Sequence, residues 1–308
     1  MATTSKIAVL TSTAIREELS NTITNIDPTE TPFISNIGKG KTSSYKTEWL
    51  TDSLSSAALN QQASGATSNS DQIGAGTRLA NYITISAKWF DITDVLEAQN
   101  TAGDMGKISY QTAKKLKELS RDMEYTLINE ATGSTSDTFK SYGLKYWLNA
   151  STSTNKYAFG GVEATSNLLT EDIFTARQKA VWDQGAKVDF VLATAAQKQR
   201  ISKFNGANRV TINSEMANKK ITTLVDFVEN DFGTARVYLE RHIAADDTYY
   251  DWMFFLQKDL WKLLTLIPVK VEKLARTGLS QIVQISTAYT LRCGTEKGNA
   301  SLSYLYNG

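Results

Sequence analysis

The pattern of apolar and polar positions between residues 44 and 92 predicts a long β-hairpin. Alternation with a strict period of two is typical of strands that have one covered face. The first arm, residues 44–50, places Tyr45, Thr47 and Trp49 on one face. The second arm, residues 80–91, alternates with the same period. The face of this arm that we predict to be covered, together with Trp49, carries Ile83, Ile85, Ala87 and Trp89.

The segment between the two arms, residues 53–76, is poor in side chains that could order it. It contains no aromatic residue, no lysine or arginine, and a single acidic residue, Asp71. Such a segment buries little side-chain area to offset the entropy that it loses on ordering. Loops longer than about 12–15 residues are uncommon in compact domains unless they are functional or disordered. We therefore predict that a neighbouring molecule orders this hairpin, which points to an assembly.

The clearest helix is predicted over residues 107–131. Its apolar residues recur at spacings of three, four and eight, which places them on one stripe. These residues are Ile108, Leu116, Leu119, Met123 and Leu127, with Ile128 beside them. At about 1.5 Å per residue, a helix of this length spans ~37 Å. A single stripe on so long a helix favours a spine with a sheet packed along one side.

The other elements are predicted from weaker patterns. Residues 1–44 hold one short candidate helix, at 13–24, and two of the three prolines, so we predict an extended arm. A polar passage at 148–167 is the best internal boundary. Beyond it, Thr170 suits the start of a helix and Gly185 suits its end. The elements predicted next are a strand at 188–193, a helix at 195–204, a hairpin of 221–229 and 235–239, and strands at 252–256, 266–271 and 282–291.

Composition narrows the class of protein without identifying a reaction. The 308 residues include 33 Lys and Arg and 32 Asp and Glu, which gives a formal net charge of +1. Without a basic excess, contact with nucleic acid is expected to be weak. The single cysteine, Cys293, excludes an internal disulfide. We find no signal peptide and no apolar stretch of about 18 residues, so we expect a protein that stays in the cytoplasm until lysis.

The motifs that could carry chemistry are weak. The run 38–42 contains the Gly-Lys-Thr that ends a phosphate-binding loop, but Ser35 stands where that loop requires glycine. The next segment alternates like a strand rather than a helix, so we interpret the run as a flexible basic turn. His242, near Asp246 and Asp247, is the only histidine, which excludes multi-histidine zinc sites. We expect a solvated loop at His242, an inert buried or edge thiol at Cys293, and no cofactor or metal.

Several motifs in a fixed order resemble one known family. They are Thr-Pro-Phe at 31–33, Lys-Thr-Glu-Trp-Leu-Thr-Asp-Ser-Leu at 46–54, Arg78 with Asn81 on the returning strand, the helix pattern from Tyr110-Gln111 to Arg121-Asp122-Met123-Glu124, and Leu-Ala-Arg-Thr-Gly-Leu at 274–279. Together they resemble the major capsid proteins of tailed bacteriophages that have the Hong Kong 97-type capsid fold. The resemblance is strongest over residues 27–131 and weaker over 140–265.

The resemblance implies an α+β fold with five parts. These are an N-terminal arm (1–44), an extended hairpin called the E-loop (45–92), a peripheral domain with the spine helix (93–164), an axial domain (165–250) and returning strands of the peripheral domain (251–308). It also implies a structural protein rather than an enzyme. Many copies would form the hexamers and pentamers of an icosahedral shell, a virion component assembled in the host cytoplasm around double-stranded DNA. In this family the E-loop lies over the adjacent subunit.

Two departures from the family pattern shape these expectations. Some relatives crosslink their shells through a lysine of the E-loop, but no lysine lies between Lys46 and Lys88, so we expect no crosslink. Some relatives carry a long scaffolding region before the arm. Here the arm is reached by residue 25, so we expect a separate scaffold protein, together with a portal protein, and weak, non-specific contact with packaged DNA.

Two alternatives to a phage capsid stay open at this point. An encapsulin-type compartment shares the fold but encloses protein cargo instead of DNA. A nucleotide-binding enzyme would use the Gly-Lys-Thr run at 38–42.

The resemblance implies that the functional residues are those at contacts between subunits. The candidates are Phe33, Trp49, Asp52, Arg78, Trp89, Arg121, Asp122 and Glu124. For the two tryptophans, the alternative is packing within one subunit, between the strands of the hairpin. For the three charged residues of the helix, the alternative is a solvated surface, since exposed ion pairs contribute only about 0–1 kcal/mol each.

Overall fold

The computed structural model describes the chain between residues 30 and 306, with gaps. The described ranges are 30–55, 57–59, 61–66, 76–99, 107–134, 139–149, 155–159, 167–204, 227–243, 250–276 and 278–306. The predicted helix at 13–24 lies outside them, as do Asp246 and Asp247. The described residues divide into two compact units. The first takes in those within 88–117 and 271–285, and the second takes in the rest.

The described residues form six helices and twelve strands. The helices are α1 (Pro32–Asn36), α2 (Asp94–Ala98), α3 (Ile108–Asn129), α4 (Leu144–Asn149), α5 (Glu171–Asp183) and α6 (Ala195–Ile201). The strands are β1 (Gly38–Lys41), β2 (Lys46–Thr51), β3 (Thr77–Tyr82), β4 (Thr84–Thr93), β5 (Lys156–Ala158), β6 (Phe190–Ala193), β7 (Phe227–Asn230), β8 (Gly233–Leu239), β9 (Tyr250–Leu256), β10 (Trp261–Lys273), β11 (Ser280–Cys293) and β12 (Ala300–Tyr306).

The predicted hairpin is present, with a shorter second arm than expected. β2 and β3 pair antiparallel, from Lys46 opposite Tyr82 to Thr51 opposite Thr77. The chain then leaves this two-stranded ribbon, and β4 joins a second sheet with the strand order β1-β10-β11-β4. The second predicted arm is therefore two strands in two sheets, divided at Ile83.

This division overturns the predicted covered face of the second arm. Ile83 and Thr84 are neighbours in sequence and both are buried, so the period-two alternation slips by one position between β3 and β4. Ile85 and Trp89 consequently fall on an exposed face, with 56% and 65% of their surfaces exposed. The prediction was wrong because it extended one register across a change of sheet.

The side chain of Asn81 fixes the base of the hairpin. It is fully buried, and its Nδ2 donates hydrogen bonds to the carbonyl oxygens of Tyr142 (3.0 Å) and Leu291 (2.6 Å). Its Oδ1 accepts hydrogen bonds from the backbone N–H groups of Tyr82 and Tyr142, both at 2.8 Å. One amide thus joins β3, β11 and the turn before α4.

A six-stranded sheet, with the strand order β5-β12-β9-β6-β8-β7, carries a buried hydrophobic core. β6 pairs parallel with β8 and antiparallel with β9. β7 and β8 form the predicted hairpin, although residues 221–226 of its predicted first strand lie outside the described ranges. α5 begins as predicted, with the Thr170 hydroxyl accepting a hydrogen bond from the Ile173 N–H (3.4 Å), and Gly185 beyond its end has a φ of +79°. The core residues include Phe174, Val181, Val191, Met253, Phe255 and Leu302.

The six-stranded sheet spans the expected domain boundary at residue 250. β9 and β12 fall within the part expected to complete the peripheral domain, yet they pair into the same sheet as β6, β7 and β8. β12 and the short β5 were not predicted from the sequence, because Ser301 and Ser303 interrupt the apolar pattern although both are buried.

The predicted spine helix is confirmed as α3, a 22-residue helix. At about 1.5 Å per residue it is ~33 Å long. Leu119, Met123 and Leu127 of the predicted stripe are buried. Glu124 and Ile128 are buried as well, so the second half of the helix is covered on more than one side.

The Gly-Lys-Thr run is a strand and not the flexible turn that we expected. Gly38 to Lys41 form β1, which pairs parallel with β10, from Gly38 opposite Lys262 to Lys41 opposite Thr265. A Cβ atom at Gly40 would lie 2.7 Å from a methyl carbon of Leu264, so any larger residue there would require the Leu264 side chain to move. A phosphate-binding loop requires a turn before a helix, and this segment has the wrong backbone for it.

We predict that Asn81→Ala lowers the free energy of unfolding of the unassembled subunit by about 2–4 kcal/mol, because each buried polar group left without a partner costs about 1–3 kcal/mol. Urea denaturation followed by circular dichroism measures this. Asn36→Ala is the matched control, since the Asn36 amide makes only a local hydrogen bond to the Pro32 carbonyl oxygen. Equal losses for the two variants would contradict the role assigned to Asn81.

Candidate inter-subunit surfaces

The hairpin presents leucine side chains that its own chain does not cover. Leu50 on β2 is 74% exposed, and Leu54 and Leu59 in the connection between β2 and β3 are 99% and 93% exposed. Isolated exposed leucines are ordinary on protein surfaces, whereas several along one projecting hairpin mark a surface for a partner.

An ion-pair cluster lies at the foot of the same hairpin. Glu48 contacts Lys46 Nζ at 2.5 Å and also the guanidinium of Arg78 across the ribbon. The hydrogen bond from Lys46 lowers the pKa of Glu48, and the same bond raises the pKa of Lys46. The Arg78 side chain remains 70% exposed, so its free N–H groups face solvent. It could therefore bind a further carboxylate.

Asp52 stands at the edge of a small pocket beside the end of the β2–β3 ribbon, where the connecting segment begins. Its Oδ1 accepts a hydrogen bond from the Ser53 N–H at 2.8 Å. The pocket, of about 150 Å³, is also lined by Gly76, Thr77 and the turn that contains Glu296 and Lys297. Asp52 itself is exposed, as a contact residue would be.

The two candidate tryptophans have opposite environments. Trp49 is 6% exposed and packs against Trp147 of α4, with 5.7 Å between the ring centroids. The guanidinium of Arg292 lies 5.9 Å from the centre of the Trp49 ring. Trp89 is 65% exposed. Trp49 therefore packs within its own subunit, and Trp89 has the exposure that a contact with another molecule requires.

Phe33 and Glu124 are engaged with each other inside one chain. Phe33 is fully buried, with its ring edge against Trp261 at 6.1 Å between centroids. The Glu124 carboxyl accepts hydrogen bonds from the first-turn N–H groups of α1: Phe33 N–H at 2.5 Å and Ile34 N–H at 2.9 Å. Because Glu124 is fully buried, it cannot form the exposed ion pair between subunits that we expected.

The charge state of Glu124 is unusual. Burial and, next, the nearby Glu240 carboxyl together raise the pKa of Glu124 to about 9, although the hydrogen bonds from the two α1 N–H groups lower it. Glu240 is itself 2% exposed, and its Oε1 accepts a hydrogen bond from the His242 N–H at 2.8 Å. The sequence did not reveal this pair, because nothing in the residues around Glu240 connects it to a helix more than a hundred positions earlier.

Arg121 and Asp122 are both half-buried on α3. The buried Tyr289 hydroxyl, 3.1 Å from Ser86 Oγ, has a pKa raised chiefly by burial, and the charge of Asp122 raises it further. Asp122 thus lies near the sheet that contains β11. The eight candidate residues consequently do not form one site: three are buried, two are half-buried and three are exposed.

The other chemical candidates are structural. Cys293 is fully buried, and burial raises the pKa of its thiol well above the ordinary value, so it is the inert thiol that we expected. His242 is partly buried rather than solvated. Its backbone carbonyl also accepts a hydrogen bond from Asn129 Nδ2 at 2.5 Å. Among the described residues, no group of three or more His, Cys, Asp or Glu could hold a metal ion. No helix within the described ranges is long and apolar enough to span a membrane.

A projecting hairpin, a long spine helix and a mixed sheet of β6–β9 and β12 are the parts of the Hong Kong 97-type capsid fold, and this is the class to which the structure belongs. The family model for the SU10 major capsid protein matches residues 2–305. The chain therefore belongs to the SU10 major capsid protein family.

Individual relatives are distant. A major capsid protein of Escherichia phage Phieco32 is 28% identical over 111 residues, which are 36% of this chain and 32% of that protein. The match thus spans about a third of the length of the curated relative.

Solved structures match over nearly the whole chain. The capsid of a native GTA particle has a TM-score of 0.66 and 12% identity, over 98% of this chain and 99% of that one. A protein of Microbacterium phage Oxtober96 has a TM-score of 0.64 and 12% identity, over 94% and 95%. The SrpI encapsulin of Synechococcus elongatus has a TM-score of 0.60 and 11% identity, over 95% and 93%. These likenesses show the fold, which capsids and an encapsulin share.

The environments of the two tryptophans generate a prediction about stability. Trp49→Ala should lower the free energy of unfolding by about 3–5 kcal/mol, because it opens a cavity beside Trp147. Trp89→Ala should change it by less than about 1 kcal/mol, since the side chain is mostly solvated. Urea denaturation of the unassembled subunits measures both. A large loss for Trp89→Ala would show that its ring is packed within the subunit.

Proposed function

We propose that this chain is the major head protein of a tailed phage, many copies of which form the hexamers and pentamers of an icosahedral shell around double-stranded DNA. The observation that carries the proposal is the hairpin, whose most exposed leucines have no cover within their own chain. Membership of a capsid protein family supports the same conclusion.

The energetic role of the hairpin is to stabilise contacts between subunits. Full burial of one leucine side chain contributes about 1.5–3 kcal/mol. Leu54 and Leu59 are almost fully exposed, so nearly all of that contribution is still available to an assembly. Ordering the connection between β2 and β3 opposes assembly, and burial against a neighbour offsets this cost.

The residues that we assign to contacts between subunits are the candidates that their own subunit leaves accessible. Asp52, Arg78, Trp89, Arg121 and Asp122 remain candidates, because each is exposed or half-buried. Phe33, Trp49 and Glu124 are assigned to the interior of the subunit instead. Each hairpin would lie on an adjacent subunit, and Arg78 and Asp52, near the end of the ribbon where the connecting segment begins, would supply polar contacts at the rim of the interface.

A net charge of +1 favours weak contact with packaged DNA, without sequence preference. Scaffold and portal functions are assigned to separate proteins, and the shell is assembled in the host cytoplasm as part of the virion. The role is structural and conformational, and no reaction is assigned to the chain.

An encapsulin-type compartment is the second candidate, favoured by the structural likeness to the SrpI encapsulin. The two functions differ in cargo. Shells isolated from infected cells would contain nuclease-protected DNA in the first case and a protein in the second.

Assembly is the first property to test. We expect negative-stain electron microscopy and light scattering of the purified chain, with its scaffold and portal proteins supplied, to show closed shells or capsomer rings. The physical reason is the uncovered apolar surface of the hairpin. A protein that stays a 34.0 kDa monomer under these conditions would exclude the capsid function.

The hairpin leucines can be tested separately. The double substitution Leu54→Ser and Leu59→Ser should leave the unfolding curve of the subunit unchanged, because neither side chain is covered in it. Shell yield should fall at least tenfold, since burying the two side chains would contribute more than about 1.4 kcal/mol per subunit. Gln61→Ser changes an exposed polar residue of the same segment and should assemble normally. Normal shells from the double variant would refute the role of the hairpin.

A further inference from the structure

The contact between Glu124 and Glu240 is a buried cluster that shell assembly alone does not explain. Glu124 on α3 accepts the two N–H groups at the start of α1, and Glu240 directly follows β8. Glu240 is held in place by backbone hydrogen bonds, because its own N–H donates to the Ala193 carbonyl oxygen (2.9 Å) and its Oε1 accepts the His242 N–H. Two carboxyl groups thus meet where α1 docks on α3 and on the end of β8.

The hydrogen bonds at this contact require a proton. Three backbone N–H groups donate to the pair, and they account for three of its four oxygens. The fourth, Glu240 Oε2, is buried without a partner among the described residues. Two buried carboxylates side by side repel each other strongly, whereas a single proton on the pair supplies the missing hydrogen bond and removes the repulsion.

We propose that Glu124 and Glu240 form a proton-dependent latch that holds the arm at residues 30–37 against the spine helix, and that loss of the shared proton releases this arm. The latch acts within one subunit, and its use as a control of shell assembly or rearrangement rests on the proposed function. The arm is the part of the subunit that docks through Phe33 against Trp261, so release would also uncover these two rings.

The charges near the pair do not neutralise it. Arg121 lies one turn before Glu124 on α3, and Arg241 and His242 follow Glu240. The pKa of Glu124 is nevertheless set by burial and by Glu240, and its value of about 9 lies far above the ordinary 4.5. The α1 segment itself contributes backbone N–H groups, and Glu30, just before it, is exposed.

The direction of the pH effect follows from this shift. Between pH 4.5 and 9 the docked arm binds a proton that the released arm does not bind. Docking is therefore strongest below pH 4.5 and weakens as the pH rises, by about tenfold per pH unit for one proton. Above pH 9 the dependence ends, with the arm at its weakest.

The experiment is hydrogen exchange with mass spectrometry on the full-length chain from pH 6 to 9, comparing variants at each pH so that the intrinsic exchange rate cancels. Glu124→Gln keeps a side chain that can accept from α1 and donate to Glu240 without titrating. Relative to Glu124→Gln, protection of peptides covering 30–37 in the wild type should fall by about tenfold per pH unit. Glu229→Gln, an exposed carboxyl on β7, should behave like the wild type.

Two further readouts keep the proposal open to refutation if Glu124→Gln fails to fold. Glu240→Gln removes the second charge but leaves Glu124 buried, so it should lower the pKa of Glu124 and move the loss of protection to lower pH. Infrared spectra of the wild type should show the carbonyl band of a protonated carboxyl above pH 6, and Glu240→Gln should lose this band at a lower pH than the wild type. A wild type with no such band, or with the same pH trend as both variants, overturns the latch.

The outcomes for the latch and for the proposed function are separable, because hydrogen exchange can be measured on isolated subunits and on assembled shells. A latch that titrates in a chain that never assembles would leave the latch standing and exclude the capsid function. Shells in which the protection of the arm does not depend on pH would support the capsid function and exclude the latch.

Discussion

The buried amide of Asn81 is the contact on which the projection of the hairpin depends. It joins β3 to β11 and to the turn before α4, three segments that are far apart in sequence. Directly after it, at Ile83, the chain passes from the two-stranded ribbon to the four-stranded sheet. The foot of the hairpin is therefore fixed to β11 and to the turn before α4. In the proposed shell, a fixed foot would let contacts at the exposed leucines position the whole subunit, which a flexible attachment would not allow.

Sequence patterns predicted the elements whose local chemistry is strong. The apolar stripe of α3, the Thr170 cap of α5 and the turn between β7 and β8 are all set by residues close together in the chain, and all were confirmed. The failures have a common cause in tertiary structure. The register of β4 depends on a change of sheet, β1 depends on close packing between Gly40 and Leu264, and β12 carries buried serines. None of these can be deduced from period alone.

The candidate contact residues show the same difference between what local sequence suggests and what tertiary packing decides. Residue type suggested that aromatic and charged side chains of the arm, hairpin and spine contact other subunits. Burial then separates Phe33, Trp49 and Glu124, which stabilise the subunit, from residues such as Trp89 and Arg78 that remain accessible. Glu124 was misleading because a glutamate within a charged stretch of helix usually faces water. Its partners, the N–H groups of α1 and the Glu240 carboxyl, come from segments that sequence spacing does not connect to it.

The exposed leucines of the hairpin also limit how long a free subunit can persist. Until they are covered, Leu54 and Leu59 offer the same apolar surface to a correct neighbour and to any misfolded chain or chaperone nearby. Aggregation and assembly then compete for the same side chains, and both accelerate with concentration. The fate of newly made subunits is therefore decided by relative rates as well as by the stability of the finished shell. Under the proposed function, the timing of synthesis and of nucleation therefore decides how many subunits reach the shell.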